Sequence, residues 1–217
     1  MKIHHLAQNN SVLNNFLSEI RDKNIQKDSM RFRRNIERIG EILAYELSKS
    51  FSYKSISVET PLAFKQVQVV EDSLVICSIL RAGLPLHQGL LNYFDNAANA
   101  FISAFRHHPY NDERFEIVVE YLASPNLDGK TLLLADPMLA TGQSLVAVFE
   151  SLKKLGNPKE IHLISVIGAE EGIHFIEKYF PENTHLWIAT IDSHLNEKGY
   201  IIPGLGDAGD LAYGKKL

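Results

Sequence analysis

The chain has very little cysteine, no excess of basic side chains and no long apolar run. Cys77 is the one cysteine among 217 residues, which excludes an intrachain disulfide and a zinc site built from cysteines. A net charge of −4, from 22 basic and 26 acidic residues, argues against a general nucleic-acid binder. The longest apolar stretches, such as residues 132–135, are too short to cross a bilayer, and the first residues lack an apolar signal core. We therefore expect a cytoplasmic protein without nucleic-acid or membrane partners.

Several common catalytic signatures are also missing. There is no G-x-S-x-G elbow, no H-E-x-x-H zinc motif and no Walker A lysine. His107 and His108 are adjacent but have no matching third ligand, which is typical of loop residues. Cys77 lies inside an apolar run and is interpreted as a core residue. A literal G-x-G-x-x-G at 204–209 lacks the following βαβ unit that a dinucleotide site requires, and we reject that interpretation.

The first fifty residues predict helices. Hydrophobic residues make up 45% of the chain, enough for one sizeable core. Apolar side chains recur at helical spacing over residues 12–20 and again over 32–47, which predicts a helical extension at 1–50. Ser29 is the expected N-cap of the second helix. Four arginines lie mostly off its apolar face and are interpreted as a solvated surface: Arg31, Arg33, Arg34 and Arg38.

From about residue 55 the pattern changes to short strands. Residues 56–58 and 67–70 predict a small β-hairpin. Further apolar runs alternate with helical patterns, and they predict strands at 74–80, 101–105, 131–135, 161–167 and 185–191. Continuous apolar strands separated by helices indicate an α/β protein with a mostly parallel twisted sheet and helices on both faces. No linker or repeat interrupts this order, so we expect residues 1–217 to form a single domain.

Two segments do not follow the alternation. Residues 106–125 are polar and show no helical pattern, and residues 199–214 are rich in glycine and almost without periodicity. Long unpatterned loops in a compact domain are often functional. In an open parallel sheet, ligands bind at the carboxyl ends of the strands. The loops that follow strands are therefore the candidate site.

The segment after residues 131–135 has the pattern of a phosphate site. A buried strand runs into a tight loop and then into a helix N-terminus, where free N–H groups and the helix dipole favour an anion. Gly142 lets the backbone approach an anion closely, and Thr141 and Ser144 add hydroxyl donors. Asp136 suits ribose hydroxyls or a hydrated magnesium ion better than a phosphate. An ordinary strand-to-helix turn capped by Asp136 fits the spacing equally well.

Three segments carry motifs that also occur together elsewhere: ILRAGL at 79–84, DPMLATG at 136–142 and GYIIPGLGDAGD at 199–210. In the same order they resemble the diphosphate loop, the phosphoribosyl-diphosphate (PRPP) loop and the uracil-binding loop of the phosphoribosyltransferases. The Asp-Pro pair that opens the second motif is the form characteristic of uracil phosphoribosyltransferases. The third motif distinguishes the uracil enzymes from the other members. The resemblance runs from about the second helix to the C-terminus.

The resemblance implies an activity and its ligands. The expected reaction is a pentosyl transfer from PRPP to N1 of uracil, giving UMP and diphosphate in pyrimidine salvage. Mg2+ is the implied cofactor, carried by PRPP and not ligated directly by the protein. Relatives form dimers or larger assemblies, so a homo-oligomer is expected. Residues 106–125 are implied to form a flexible loop over the substrates, and 199–214 the base-binding loop.

The resemblance also implies roles for individual residues. Arg81 and Arg106 are expected on the diphosphate and Asp136 on the ribose hydroxyls, with Asp207 facing PRPP; Arg81, Asp136 and Asp207 are the implied catalytic residues. The implied PRPP contacts are Arg81, Arg106, Asp136, Pro137, Met138, Leu139, Ala140, Thr141, Gly142, Gln143, Ser144 and Asp207. The residues implied to read uracil through their backbone are Ile201, Gly206, Asp207 and Ala208.

Residue chemistry alone leaves alternatives open for these segments. Uracil is small and flat, and backbone N–H and C=O groups match its edges where glycines leave room. The same glycines also fit a C-terminal tail that merely packs on the domain. At the end of an apolar strand, Arg81 fits a diphosphate clamp and a surface salt bridge equally well.

The chain departs from the family pattern at a few positions. Gln143 stands where members often have a second glycine, and Leu211 where a basic residue is common. The loop over the substrates carries Glu120-Tyr121-Leu122 without the usual lysine. The alternative function is therefore a PRPP- or nucleotide-sensing regulator that has lost turnover. A phosphoribosyltransferase for another base is disfavoured by the loop at 199–214, since purine enzymes need a wider pocket.

Overall fold

The computed structural model describes the backbone of residues 1–107 and 116–216, and the side chains of 1–104 and 118–216. The described helices are α1 (Leu13–Arg21), α2 (Ser29–Ser48), α3 (Leu84–Leu91), α4 (Gln143–Leu152), α5 (Glu170–Ile176) and α6 (Ala208–Tyr213). The described strands are β1 (Lys2–His5), β2 (Tyr53–Glu59), β3 (Phe64–Val70), β4 (Leu74–Leu80), β5 (Ala98–His107), β6 (Glu116–Ala123), β7 (Thr131–Ala135), β8 (Met138–Leu139), β9 (Glu160–Ala169), β10 (His185–Asp192), β11 (His194–Leu195) and β12 (Ile201–Ile202).

The central sheet has eight strands in the order β1-β10-β9-β7-β4-β5-β6, with β8 beside β9. Among these, β5 and β6 pair antiparallel and the other pairs are parallel. The predicted α/β class with a mostly parallel sheet is confirmed. Because the strands run in one direction, β4, β7, β9 and β10 all end at the same edge of the sheet.

Helices cover both faces of this sheet, as the continuous apolar strands predict. Successive side chains of a strand point to opposite faces. In β7, Leu133 packs into the core shared with α1, α2 and α3, whereas Leu132 and Leu134 pack into the core shared with α4 and α5. All three leucines are fully buried. A strand buried on both sides needs an apolar residue at every position, which is why no alternation marks it.

The two N-terminal helices are confirmed, but the predicted cap of the second is wrong. Asp28 is the N-cap of α2, and its Oδ1 accepts hydrogen bonds from the Met30 and Arg31 amides, at 3.1 Å each. Ser29 is the first helical residue instead. The interpretation of the α2 arginines as a solvated surface is also wrong for Arg33, whose Nη1 donates to the Ala212 carbonyl of α6 at 2.6 Å.

Strand β1 was not predicted. Its four residues pair parallel with β10 at one end of the sheet, and the His4 ring stacks on the Trp187 indole with centroids 3.6 Å apart. The half-exposed sequence KIHH has neither an apolar run nor an alternation. Pairing with a distant strand, and not a local pattern, makes this segment extended.

The segment 106–125 is not a loop throughout, contrary to expectation. Residues 116–123 form β6, which pairs antiparallel with β5. Residues 108–115 lie outside the described part of the chain. The predicted hairpin at 56–70 is confirmed as β2 and β3. Over the described residues, every helix is too short or too polar to span a bilayer.

Candidate active site

Three predicted site segments begin at the same edge of the sheet. Ser78 of β4 is in register with Ala135 of β7, so Arg81 and Asp136 follow neighbouring strands. Strand β5 lies on the other side of β4. Arg106 is near the end of β5 and pairs with Ile117 of β6. The Arg106 side chain lies outside the described residues, so its role stays a prediction.

The loop at 136–142 is attached to the sheet on one side. The Asp136 amide donates to the Ile164 carbonyl at 3.0 Å, and Ser165 Oγ donates to the Asp136 carbonyl at 2.7 Å. The Pro137 carbonyl accepts from the Val166 and Ile167 amides, at 3.1 and 3.0 Å. Strand β8 then continues this pairing with β9. These bonds hold the loop in one conformation before any ligand binds.

Gly142 turns the chain from this loop into α4. Its φ of +78° is a left-handed conformation that favours glycine, and a Cβ there would lie 2.6 Å from Ile176 Cγ2 of α5. The first N–H groups of a helix have no partner within the helix, and the first turn of α4 carries no acidic side chain. Thr141 and Ser144 are half-buried beside it. The arrangement suits an anion such as a phosphate.

Gln143, the departure from a second glycine, is the first helical residue of α4 and is exposed. Helical backbone is open to any residue other than proline without strain, so this position does not require glycine. The departure therefore leaves the geometry of the anion subsite intact.

Asp136 is half-buried at the start of the loop. Burial raises the pKa of its carboxyl to about 7, and the hydrogen bond from the Met138 amide to Oδ1, at 3.2 Å, opposes this rise. The carboxyl thus caps the turn, as the simpler interpretation had it. A group with this pKa also gains or loses its proton near neutral pH, which is useful next to a charged ligand.

Arg81 follows β4 through a cis peptide bond with Leu80. Its Nη2 lies 3.4 Å from Asp210 Oδ1 and 3.2 Å from the Gly214 carbonyl, and 39% of the side chain is exposed. The salt-bridge interpretation is therefore realised. An exposed pair at this distance contributes little, so the guanidinium can exchange Asp210 for a more highly charged anion. Position 83 in this loop requires glycine, because a Cβ there would lie 2.5 Å from the Ile79 carbonyl oxygen.

The segment 199–214 is more regular than expected. It contains β12, paired with β11, and the helix α6. Between them, Gly204 and Gly206 have φ of +61° and +94°, and the Ile202–Pro203 peptide is cis. Gly206 is exposed, and among the described residues a Cβ there would meet no atom within 4 Å. This open backbone leaves space for a flat ligand.

Asp207 is the N-cap of α6 and accepts the Asp210 amide on Oδ1 at 2.9 Å. A carboxylate has a second oxygen, so the capping hydrogen bond leaves Oδ2 of Asp207 able to interact with a ligand. A Cβ on Gly209 would lie 4.0 Å from Ala82 Cβ, which places the start of α6 against the loop that carries Arg81. The structure thus brings Asp207 and Arg81 to the same region.

An ion pair that contacts this segment was not predicted from the sequence. Arg21 of α1 forms an ion pair with Asp192 at the end of β10, and both side chains bind the backbone of Gly204. The position of Asp192 directly after a predicted strand is the one signal that could have indicated it. Cys77 is confirmed as a core residue, because it is fully buried, and this burial raises the pKa of its thiol to about 12.

Gly172 of α5 packs closely against the backbone of Leu139 and Ala140 in the loop at 136–142. Its substitution tests whether this packing supports the loop. A Cβ at this position would collide with the Ala140 carbonyl oxygen. We expect Gly172→Ala to weaken binding of PRPP, the ligand implied by the sequence, by about tenfold or more, since small displacements of a binding group are costly. Calorimetric titration measures this affinity. Glu170→Ala, on an exposed site of the same helix, is the control, and equal affinity of the two variants would contradict the proposed support.

Comparison with known proteins agrees with the residues at this site. A family model described as uracil phosphoribosyltransferase matches residues 7–215. A protein of that name from Porphyromonas gingivalis (strain ATCC 33277) is 50% identical over 218 residues, which cover 100% of both chains. Another from Pyrococcus furiosus is 41% identical over 204 residues, covering 93% of this chain and 85% of the relative. The solved structure of the AQ2163 protein from Aquifex aeolicus has a TM-score of 0.86 at 31% identity, with 98% of each chain covered. This chain therefore belongs to the uracil phosphoribosyltransferase family.

Proposed function

We propose that the protein transfers the 5-phosphoribosyl group of PRPP to N1 of uracil, giving UMP and diphosphate. The observation that carries this proposal is the meeting of three loops at one sheet edge: the anion-binding turn before α4, the Arg81 loop, and the open backbone around Gly206. Membership of the family supports the same reaction. We place it in the cytoplasm, where PRPP and UMP are used.

The 5-phosphate of PRPP binds at the N-terminus of α4 in this proposal. The donors are the backbone N–H groups at the start of α4, next to Gly142, and the hydroxyls of Thr141 and Ser144. The neighbouring Asp136 carboxylate accepts the ribose hydroxyls. Because the loop is already bonded to β9, little ordering is needed on binding, and less affinity is lost to conformational entropy.

The diphosphate binds at Arg81 and, by the family resemblance, at Arg106. Within the described residues, no group of three or more His, Cys, Asp or Glu lies together in a way that could hold a metal. Asp136 and Asp207 are single carboxylates near the anion sites, and this donor set fits Mg2+ held mainly by ligand oxygens and water. Bound in that way, the ion would neutralise charge on the departing diphosphate.

Uracil binds along the backbone of residues 201–208. Its carbonyl and N–H edges pair with N–H and C=O groups of Ile201, Gly206 and Ala208 in the proposed arrangement. The Ala208 amide is the first of α6 and has no partner within that helix. The exposed Gly206 backbone leaves the flat ring unobstructed.

In the reaction, the bond from uracil N1 to the anomeric carbon forms as the bond from that carbon to diphosphate breaks. Positive charge develops on the ribose ring, and negative charge grows on the leaving group. The protein holds the two reactants in line, and Arg81 and the Asp207 carboxylate stabilise the opposite charges. Asp207→Ala would remove the α6 cap as well as the charge, whereas Asp207→Asn keeps an oxygen that can cap.

The regulator alternative has its main support in the missing lysine near Glu120-Tyr121-Leu122. These residues belong to β6 at the edge of the sheet. The relatives reported above carry the name of the enzyme, and nothing in the described site favours a regulator. A regulator would bind PRPP or UMP without making product.

We also propose that the protein forms a homodimer or a larger homo-oligomer. The β2–β3 hairpin is exposed along both strands, and at its tip Leu62 and Phe64 are 97% and 71% exposed. A two-stranded hairpin alone is marginally stable, and a contiguous apolar surface usually marks an interface. A second copy of this chain is the proposed cover.

Sedimentation velocity tests the oligomer. We expect the double variant Leu62→Glu, Phe64→Glu to sediment as a smaller species than the wild type, because two buried charges destabilise an apolar contact. Tyr179→Glu, which puts one such charge on a half-exposed aromatic position away from the hairpin, should sediment like the wild type. A monomeric wild type at micromolar concentration would contradict the proposal.

Product formation from radiolabelled bases tests the reaction itself. With PRPP and Mg2+, we expect UMP from uracil and no nucleotide from cytosine, hypoxanthine or orotate. Asp207→Asn should reduce turnover about a hundredfold or more, a loss typical of one electrostatic group, with the melting temperature unchanged. Binding of PRPP or UMP without product from any base would favour the regulator, and near-wild-type turnover of the variant would remove the role assigned to Asp207.

Proton release on PRPP binding tests Asp136. With a pKa of about 7 the carboxyl is half protonated at pH 7, so binding that requires its ionised form releases about half a proton. Below pH 7 the proton must be removed at increasing cost, and PRPP affinity should fall about tenfold per unit. Titration in buffers of different ionisation enthalpy measures the release. In Asp136→Asn, only protons released by PRPP itself or by other groups remain. If this variant releases as many protons as the wild type, Asp136 does not ionise on binding.

A further inference from the structure

We infer that Arg21 is a positioning residue for the base-binding segment, acting together with Asp192 on the backbone of Gly204. The inference rests on the proposed function, because it assumes that residues 201–208 read uracil. It gives the N-terminal helix α1 a part in base recognition. The pair and its bonds to Gly204 are referred to below as the Arg21–Asp192 clamp.

The two side chains of the clamp meet in a planar, two-point arrangement. Arg21 Nη1 donates to Asp192 Oδ2 at 2.8 Å, and Nη2 donates to Oδ1 at 2.7 Å. Two parallel charge-assisted bonds fix the relative orientation of guanidinium and carboxylate. A lysine could make one such bond but not the pair, so the geometry requires arginine.

Both polar backbone groups of Gly204 are bound by the clamp. Its amide donates to Asp192 Oδ2 at 2.8 Å, and its carbonyl accepts from Arg21 Nη1 at 3.0 Å. Gly204 is buried, has a left-handed φ of +61°, and leaves no room for a Cβ beside the Ile201 carbonyl. The clamp therefore holds the residue at which the segment turns.

Burial makes the clamp a rigid attachment. The side chains of Arg21 and Asp192 are 25% and 7% exposed. Desolvation alone would raise the pKa of Asp192, but hydrogen bonds from Arg21 and Gly204 outweigh it and hold the pKa below its usual value. The carboxylate thus remains ionised at neutral pH. Removal of one partner would leave a charge buried without compensation, which is costly.

The position of Gly204 links the clamp to the base and not to PRPP. It stands between Ile201 and Gly206, the residues whose backbone is proposed to contact uracil. The anion subsite before α4 is held instead by β9 and α5. Loss of the clamp should therefore displace the uracil contacts, and it should leave in place the PRPP contacts at the N-terminus of α4, although Asp207 lies on the displaced segment. A merely stabilising ion pair would affect both ligands alike.

Steady-state kinetics with each substrate varied in turn tests this separation. We expect Arg21→Met to raise the KM for uracil about tenfold or more, since misplacing a binding group is costly, with the KM for PRPP within about twofold of the wild type. Arg21→Lys should be intermediate. Arg31→Met is the matched control, because Arg31 pairs with Glu19 on the same helical extension at the surface and should behave as wild type. Equal increases of both KM values, or an unchanged KM for uracil, would overturn the inference.

Hydrogen exchange provides a readout that does not depend on turnover. In Arg21→Met, amides of residues 199–207 should exchange faster than in the wild type, whereas those of 138–146 should not change. If Arg21→Met fails to fold, Asp192→Asn, which keeps the shape and one acceptor oxygen, is measured in the same way. Faster exchange in both segments, or an unchanged rate in both, would overturn the inference. Absence of UMP with the wild-type protein would reject the proposed function, and the exchange pattern would still decide whether Arg21 positions the segment.

Discussion

The site depends on the parallel pairing of β4 with β7. The pair Ser78 and Ala135 sets the register, so the Arg81 loop and the loop that begins at Asp136 leave the sheet side by side. A slip by one residue would turn every side chain of a strand to the opposite face, and both strands are buried on both faces. The register is therefore determined by the two cores, and the relative position of the two anion-binding loops follows from it. Neither loop could hold that position without the sheet beneath it.

The proposed site has to bind a highly charged anion although the chain has no excess of cations. The net charge of the chain is −4, yet the proposed ligand carries several phosphates. The turn before α4 offers backbone N–H groups, which point at the ligand because Gly142 turns the chain there and β9 holds the loop. Such donors are already in place and carry no compensating counter-ion that must leave. The positive charge of Arg81 is also available to a ligand, because its exposed ion pair with Asp210 is weak and can be exchanged. The proposed site thus combines fixed dipoles with exchangeable positive charge from Arg81.

Structure that depends on local burial could be predicted from the sequence. Strands 74–80 and 131–135 were predicted with the bounds that the structure has, because both are continuous apolar runs. Structure that depends on distant partners could not be predicted. Strand β1 is extended because it pairs with β10, and Arg21 and Asp192 are 171 residues apart. The capping oxygen of α2 comes from Asp28 and not Ser29, a choice between two good capping residues that composition cannot make. The loop after residues 131–135 and the segment at 199–214 were predicted as candidate site from their position and pattern, but their ligands were assigned only from the family resemblance, and their spacing alone left simpler interpretations open.

The two parts of the proposed substrate site differ in how far along the chain their support extends. The anion subsite is built by β7, β9, α4 and α5, which follow one another within residues 131–176. The base-binding segment is held from outside: α1 binds Gly204 through Arg21, and α2 binds the end of α6 through Arg33. Contacts between distant parts of the chain close a longer loop, and so cost more conformational entropy, than the contacts within residues 131–176. The N-terminal helices are accordingly part of the support of the proposed base-binding segment, whereas the proposed anion subsite is supported by elements close to it in the chain.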